Sequence, residues 1–211
     1  MSTVSGGYGF IAARSKAGGQ SFARKFQIAS GYAVNLFKGD PVKLSGTTTG
    51  EGVIDLATTD GTRTGTVSGV PILGIFAGCE YVDTNGKPNV SPYWPASTTV
   101  LSGTVPLAWV YEGDLNEFRV KGDGAIILTD QGTQADWTGF AAPGGSTLTG
   151  MSSATISATP IADDAQGGFT VLEFVEGPDA TAGDAFTEVW VAIANPQLGR
   201  APRTAQNAAG T

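Results

Sequence analysis

Wherever the spacing of apolar side chains along this chain is regular, its period is two. Phe22, Phe26 and Ile28 share one parity around Arg24, and Thr187, Val189, Val191 and Ile193 alternate with Phe186, Glu188, Trp190 and Ala192. That is the pattern of strands with one buried face. The densest apolar stretch, Ile72–Val82, has strand length and is interrupted by Gly74 and Gly78. It reads as a buried strand bent or bulged at the glycines, which a helix would tolerate poorly.

Turn chemistry punctuates these runs. Asp83-Thr84-Asn85-Gly86 predicts a tight reversal, and Pro88, Pro92 and Pro95 hold the following chain extended, with Tyr93 and Trp94 between them as an aromatic plug. Further strands are expected at Val42–Leu44, Val53–Leu56, Thr62–Val70 around Asp60-Gly61, Val105–Tyr111 and Phe169–Val175. Phe118–Val120 and Ile126–Leu128 flank Gly122-Asp123-Gly124 as a hairpin would. Pro106 marks a strand start or an edge. One helical turn is expected over Tyr32–Phe37, and Thr147–Thr159 reads as a surface loop or an edge ribbon. The expectation is an all-β protein, a β-barrel or β-sandwich of short antiparallel strands. Its body spans residues 21–195, with extended arms over 1–20 and 196–211.

Composition supports this and adds a charge asymmetry. With 211 residues, of which 31 are glycine, the chain suits one β domain. Cys79 is the only cysteine and lies in the apolar run, so no disulfide framework is expected. The start of the sequence lacks a basic region followed by a long apolar core, and no stretch reaches the ~18 apolar residues of a membrane span, so synthesis in the cytoplasm is expected. The net charge is -7, yet residues 1–43 carry six basic side chains against Asp40 alone, a balance of +5, and the remainder carries -12. A basic leading segment on an acidic body points to an acidic protein partner, since nucleic acid would be repelled by the body.

Candidate chemistry is sparse. The chain has no histidine, which removes Ser-His-Asp and Cys-His catalysis and the commonest zinc ligand sets. Gly7-Tyr8-Gly9-Phe10-Ile11-Ala12 has the spacing of a dinucleotide fingerprint but no strand is expected before it. Asp83 to Gly86 resembles the opening of a calcium loop, but Trp94 stands where the bidentate Glu belongs. Asp163, Asp164, Asp179 and Asp184 form an acidic field without recognisable ligand spacing. No enzyme activity, cofactor or metal is expected, and neither a nucleic acid nor a membrane partner.

Four stretches carry a resemblance. They are Ser30-Gly31-Tyr32 with Leu36–Val42, then Gly74–Tyr81, then Tyr93-Trp94-Pro95, and finally Gly183–Val189. Together they resemble the head decoration, or cement, proteins of tailed bacteriophages, small virion proteins encoded beside the major capsid protein. The likeness implies a β-rich homo-oligomer, a trimer or dimer, that sits on the outer capsid surface and staples neighbouring major capsid protein subunits. Under that expectation Tyr8, Phe10, Arg14, Lys16, Arg24 and Lys25 are candidate shell contacts. Tyr93 and Trp94 form either a subunit-interface plug or a local core cap. A tail, neck or fibre-base protein is the first alternative. A glycan- or receptor-binding module using Trp94 and Trp137 is the second.

Overall fold

The computed structural model describes residues 6–16, 18–45, 52–58, 66–67, 70–138, 144–161, 167–177 and 181–198. In chain order the strands begin with β1 (Ile11–Ser15), β2 (Ala23–Gln27), β3 (Leu36–Phe37), β4 (Pro41–Leu44) and β5 (Ile54–Leu56). Next come β6 (Thr66–Val67), β7 (Gly74–Val82), β8 (Pro88–Ser91), β9 (Tyr93–Trp94), β10 (Leu107–Glu112) and β11 (Asn116–Lys121). The last are β12 (Gln134–Ala135), β13 (Trp137–Thr138), β14 (Thr155–Ile156), β15 (Phe169–Phe174) and β16 (Glu188–Ile193). The only helical element among the described residues is a 3-10 turn at Leu128–Asp130.

Two large antiparallel sheets make a β-sandwich. The first runs β1-β11-β16-β15-β12, and the second runs β2-β10-β7-β4-β5 with β8 on the far half of β7. Smaller sheets β14-β13-β6 and β3-β9 complete the body. Period-two patterning decides which faces meet. Phe118, Val120, Val189 and Val191 point in from the first sheet, Val42, Phe76, Ala108 and Val110 from the second, and all belong to one core. Each of these side chains apart from Ala108 contributes roughly 1.5–3 kcal/mol by leaving water.

The chain crosses between the sheets twice through neighbouring elements. β1 leads into β2, and β10 turns into β11, so each pair has one member in either sheet. The first crossing departs from the expected boundaries, because residues 11–15 are sheet rather than arm. Alternation there is real but short: Phe10 and Ala12 pack on the core while Ile11 is 42% exposed. Phe10 stacks on Phe169 with ring centroids 4.2 Å apart, and Trp137 meets the other side of that cluster edge-on at 5.6 Å from Phe169. Gly9 and Gly39 let the entering backbone approach closely, since a Cβ at Gly39 would lie 2.9 Å from the Gly9 Cα. The Phe10 N–H then donates to the Gly39 carbonyl at 3.0 Å.

The apolar run is β7, and its bulge falls at the glycine: Trp109 pairs with Gly78 but Val110 pairs with Phe76, leaving Ala77 extra. Asp83 and Gly86 close the turn into β8, with the Asp83 carboxylate accepting the N–H groups of Asn85 at 2.9 Å and Lys87 at 3.0 Å. Two expectations fail. Tyr32–Phe37 is not helical, because Leu36 and Phe37, both fully buried, pair with Trp94 and Tyr93 as β3 on β9. Ile126–Leu128 forms no strand. The Ile126 N–H instead bonds the Thr187 hydroxyl at 3.0 Å, and the Ile127 N–H bonds the Asp130 carboxylate at 2.9 Å, which starts the 3-10 turn. Within Thr147–Thr159, read as a surface loop or an edge ribbon, β14 is the edge strand of its three-stranded sheet and buries Ile156 completely against β13. Asp60-Gly61, Asp163, Asp164, Asp179 and most of the 196–211 arm lie outside the described residues.

Gly74 sits between β4 and β10 at the centre of the second sheet, and a Cβ there would stand 2.1 Å from the Tyr111 carbonyl oxygen, a backbone atom that cannot swing aside. Gly74→Ala is therefore expected to destabilise the fold by about 1–3 kcal/mol or more. Urea unfolding checks this, and a midpoint equal to that of the unaltered protein would contradict the packing described.

Candidate functional site: the N-terminal edge strands

β1 and β2 lie at the margins of the two large sheets. Among the described residues β1 pairs only with β11, and β2 only with β10 apart from an isolated bridge from Gln27 to Val53. One continuous stretch of chain therefore supplies an edge strand to both sheets. β2 differs from the inner strands in being exposed at Ala23, Arg24, Lys25 and Gln27, and Phe22 just before it is 71% exposed.

The cations of this stretch already have partners within the chain. Arg14, directly opposite Glu117 in the ladder, bonds Glu117 through Nε and Glu173 through Nη2 at 2.9 Å, and its guanidinium lies 4.6 Å from the Trp190 ring centroid. The hydrogen bond to Glu117 is the main influence raising the pKa of Arg14. Lys16 donates to the Gly113 carbonyl at 3.1 Å. Arg24 meets Glu112 at 2.6 Å, and Lys25 meets Glu80 at 2.5 Å while lying 5.7 Å from the Trp109 ring centroid. Each edge strand thus lays a cation across a tryptophan on its sheet's outer face, fastened by glutamates. Such exposed pairs contribute about 0–1 kcal/mol each, so their larger effect is on where charge is displayed. Arg14, Arg24 and Lys25 of the leading segment are thus met at contact range by carboxylates of the acidic body.

The remaining predicted residues separate into core and surface. Phe10 is 2% exposed, so its ring packs inside rather than facing a partner. The Tyr8 ring is half-buried, with its hydroxyl beside the Arg119–Glu188 ion pair, and burial followed by the Glu188 charge pushes its pKa up to about 12. Trp94 is fully buried, donates from Nε1 to the Tyr32 carbonyl at 3.3 Å and takes Tyr81 edge-on at 5.3 Å. Of the proposed aromatic plug only Tyr93, half-buried and stacked on Phe37, has surface to offer. Trp137 is also fully buried, so neither tryptophan named for glycan binding faces solvent.

Gly7 to Ala12 leads into β1 rather than a helix, which removes the pyrophosphate geometry. The Asp83 carboxylate serves its own turn, and the backbone N–H of Lys87 is the main influence lowering its pKa. No group of three or more potential metal-ligating side chains occurs among the described residues. No helix among them is long and apolar enough to cross a membrane. No family model, curated protein or solved structure matches the chain.

Sequence reasoning missed β1 and the clamps on its cations because partners such as Arg14 and Glu173 are 159 positions apart. The hint available in hindsight is parity: Phe10, Ala12 and the pair Arg14 with Trp190 obey period two once the bulge between Ala12 and Arg14 is allowed.

Cys79 is buried on β7, and burial pushes its pKa from 9.0 up to about 12. The neutral thiol is favoured by folding, so the stability it supplies is complete below pH 9.0 and is lost as pH rises toward about 12. Iodoacetamide labelling at pH 8–9 is expected to proceed only through unfolding, at a rate that follows denaturant concentration. Fast labelling of the native protein would contradict the burial.

Proposed function

We propose that this chain is an adhesive structural protein of a virion, of the head decoration class of tailed bacteriophages. On this reading it binds the outer surface of the assembled icosahedral shell and stabilises contacts between major capsid protein subunits. The observation that carries the reading is the placement of β1 and β2: the leading segment provides the margin of both large sheets, and Phe22 stands 71% exposed between them. An open strand edge is a template for adding a strand from another chain, with main-chain hydrogen bonds giving affinity and flanking side chains giving choice of partner. The resemblance across residues 30–189 supports the same class.

The pairing of Arg14, Arg24 and Lys25 within the chain changes what holds the partner. Net positive charge contributes less than the sequence alone implies. Backbone edges and apolar side chains contribute more. Each contact is weak, but a shell repeats it many times, and binding assembled shell over free subunits raises shell stability by mass action. The protein acts without catalysis, as adhesive and spacer.

Purified protein added to expanded shells lacking it is expected to bind in hundreds of copies and to raise the temperature at which the shells rupture. Phe22→Asp, at an exposed position, is expected to weaken this binding about tenfold, equivalent to ~1.4 kcal/mol, with unfolding unchanged. Shells that bind none of the protein, or that gain no heat resistance from it, would overturn the proposal. A dozen or fewer copies in intact virions would assign the protein to the tail or neck instead.

A further inference from the structure

We infer that a pit beside the open edge of β1 takes one aliphatic side chain of an extended segment of another protein, a segment that carries Asp or Glu next to that side chain. This deepens the shell-binding reading, on which the partner's place in a shell rests, while the peptide site itself is testable without shells.

The pit is a cavity of about 90 Å³ lined by three consecutive residues of the leading chain, Phe10–Ala12, and three of β7, Ile75–Ala77. A hollow against one face of a sheet touches alternate residues of a strand, so consecutive contacts on both sides mean that strand margins line this one. No residue of β11, the only ladder partner of β1 among the described residues, belongs to the lining, which puts the pit on the unpaired side of β1. On the other wall the lining ends at Ala77, the extra residue of the bulge. The row of strands is broken there. β4 and the residues before it reach Phe76, β8 begins opposite Cys79, and Ala77 falls in the gap. Bulges recur beside binding sites because they re-aim a strand and interrupt its pairing.

Volume sets the size of the guest. A dry apolar cavity of about 150 Å³ accommodates benzene. At about 90 Å³ this one is too small for an aromatic ring and suits the branched side chain of Val, Leu or Ile. Met151 forms part of the wall, and its flexible thioether adapts to whichever of them enters.

Lys38 sets the sign of the neighbouring charge. It is the one charged side chain in the lining, it is exposed, and its ammonium has no ion pair or hydrogen bond among the described residues. Arg14, Arg24 and Lys25 are already matched by carboxylates of the same chain, whereas Lys38 still has its complement to find. A carboxylate flanking the aliphatic residue supplies it.

The surroundings favour a strand over a small molecule. Met151 also borders a second cavity, of about 370 Å³, lined by Gly7, Tyr8 and the hydroxyl-bearing Ser146 and Thr149, with no charged side chain. Together the two cavities follow the chain from Gly7 to Ala12, a track of ~17 Å that suits about six residues of extended peptide. Main-chain hydrogen bonds along the β1 margin then give affinity, and the pit selects the side chain. A free aliphatic acid would fill the pit and leave the rest of the track empty.

Selection of a displayed random heptapeptide library on the full chain, followed by amide NMR of the labelled protein with the selected peptides, tests this. The expected consensus is Val, Leu or Ile beside Asp or Glu, with shifts at Phe10–Ala12 and Ala77. Replacing the aliphatic residue by Ala or by Trp is expected to weaken binding at least about tenfold. Lys38→Glu, at an exposed position, should lower affinity for the acidic peptides about three- to tenfold, favour their lysine-flanked counterparts and leave the thermal melt unchanged. No enriched peptide, shifts confined to Ala23–Gln27, indifference to side-chain size, or an unaltered charge preference in Lys38→Glu would each overturn the inference. So would 4-methylpentanoate binding as tightly as the peptides, since the site would then serve a free acid. Shells that bind the protein while the selection fails would strike this site and leave the decoration reading standing; peptides bound by a protein that shells ignore would do the reverse.

Discussion

The Phe10–Phe169 stack fixes where the chain enters the body, and the arrangement of both large sheets follows from that point. With Phe10 in the core and its N–H bonded to Gly39, the residues after it have nowhere to run but along β11. The chain then crosses to lie along β10. Because β10 and β11 are themselves consecutive, the leading segment shadows them from one sheet to the other. Two long-range ladders are thereby tied together by one aromatic contact, which is worth about 0.5–1.5 kcal/mol beyond the area it buries.

That entry also settles the electrostatics. A segment carrying Arg14, Lys16, Arg24 and Lys25 would project positive potential if it extended into solvent. Laid along the sheets, it brings Arg14 to Glu117 and Glu173, Arg24 to Glu112, and Lys25 to Glu80. Arg14 and Lys25 also lie over the half-buried rings of Trp190 and Trp109. Arg14, Arg24 and Lys25 are thus held in ion pairs within the chain instead of being presented to a partner. What is left for a partner is chiefly geometry: open strand edges and isolated apolar side chains such as Phe22 and Val90.

The parts of this fold legible in the sequence are those set by local chemistry. The run of β7 with its glycine bulge, the Asp83–Gly86 reversal, Pro106 immediately before β10 and the inward parity of β16 each follow from side-chain period or turn preference within a few residues. What stayed hidden depends on distant partners. Leu36 and Phe37 have no local pattern that distinguishes a two-residue strand from a helical turn until Tyr93 and Trp94 lie beside them. Trp94 between prolines reads equally as an interface plug or a local core cap, and only its bond to the Tyr32 carbonyl and its contact with Tyr81 decide for the core. At the candidate site the residue types were visible, but the sequence could not say that acidic side chains 55 to 159 positions away would hold them.

The central claim is that the leading segment belongs to the body, with one side of each edge strand bonded and the other, apart from the Gln27–Val53 bridge, unpaired among the described residues. Residue-resolved amide hydrogen exchange over Ile11–Ser15 and Ala23–Gln27 in the free protein tests it most directly. The account predicts alternation along each strand, with slow exchange where an N–H meets β11 or β10 and fast exchange where it points outward. Uniformly fast exchange through both strands would contradict it, because the segment would then be a tail and the sheets would have other margins.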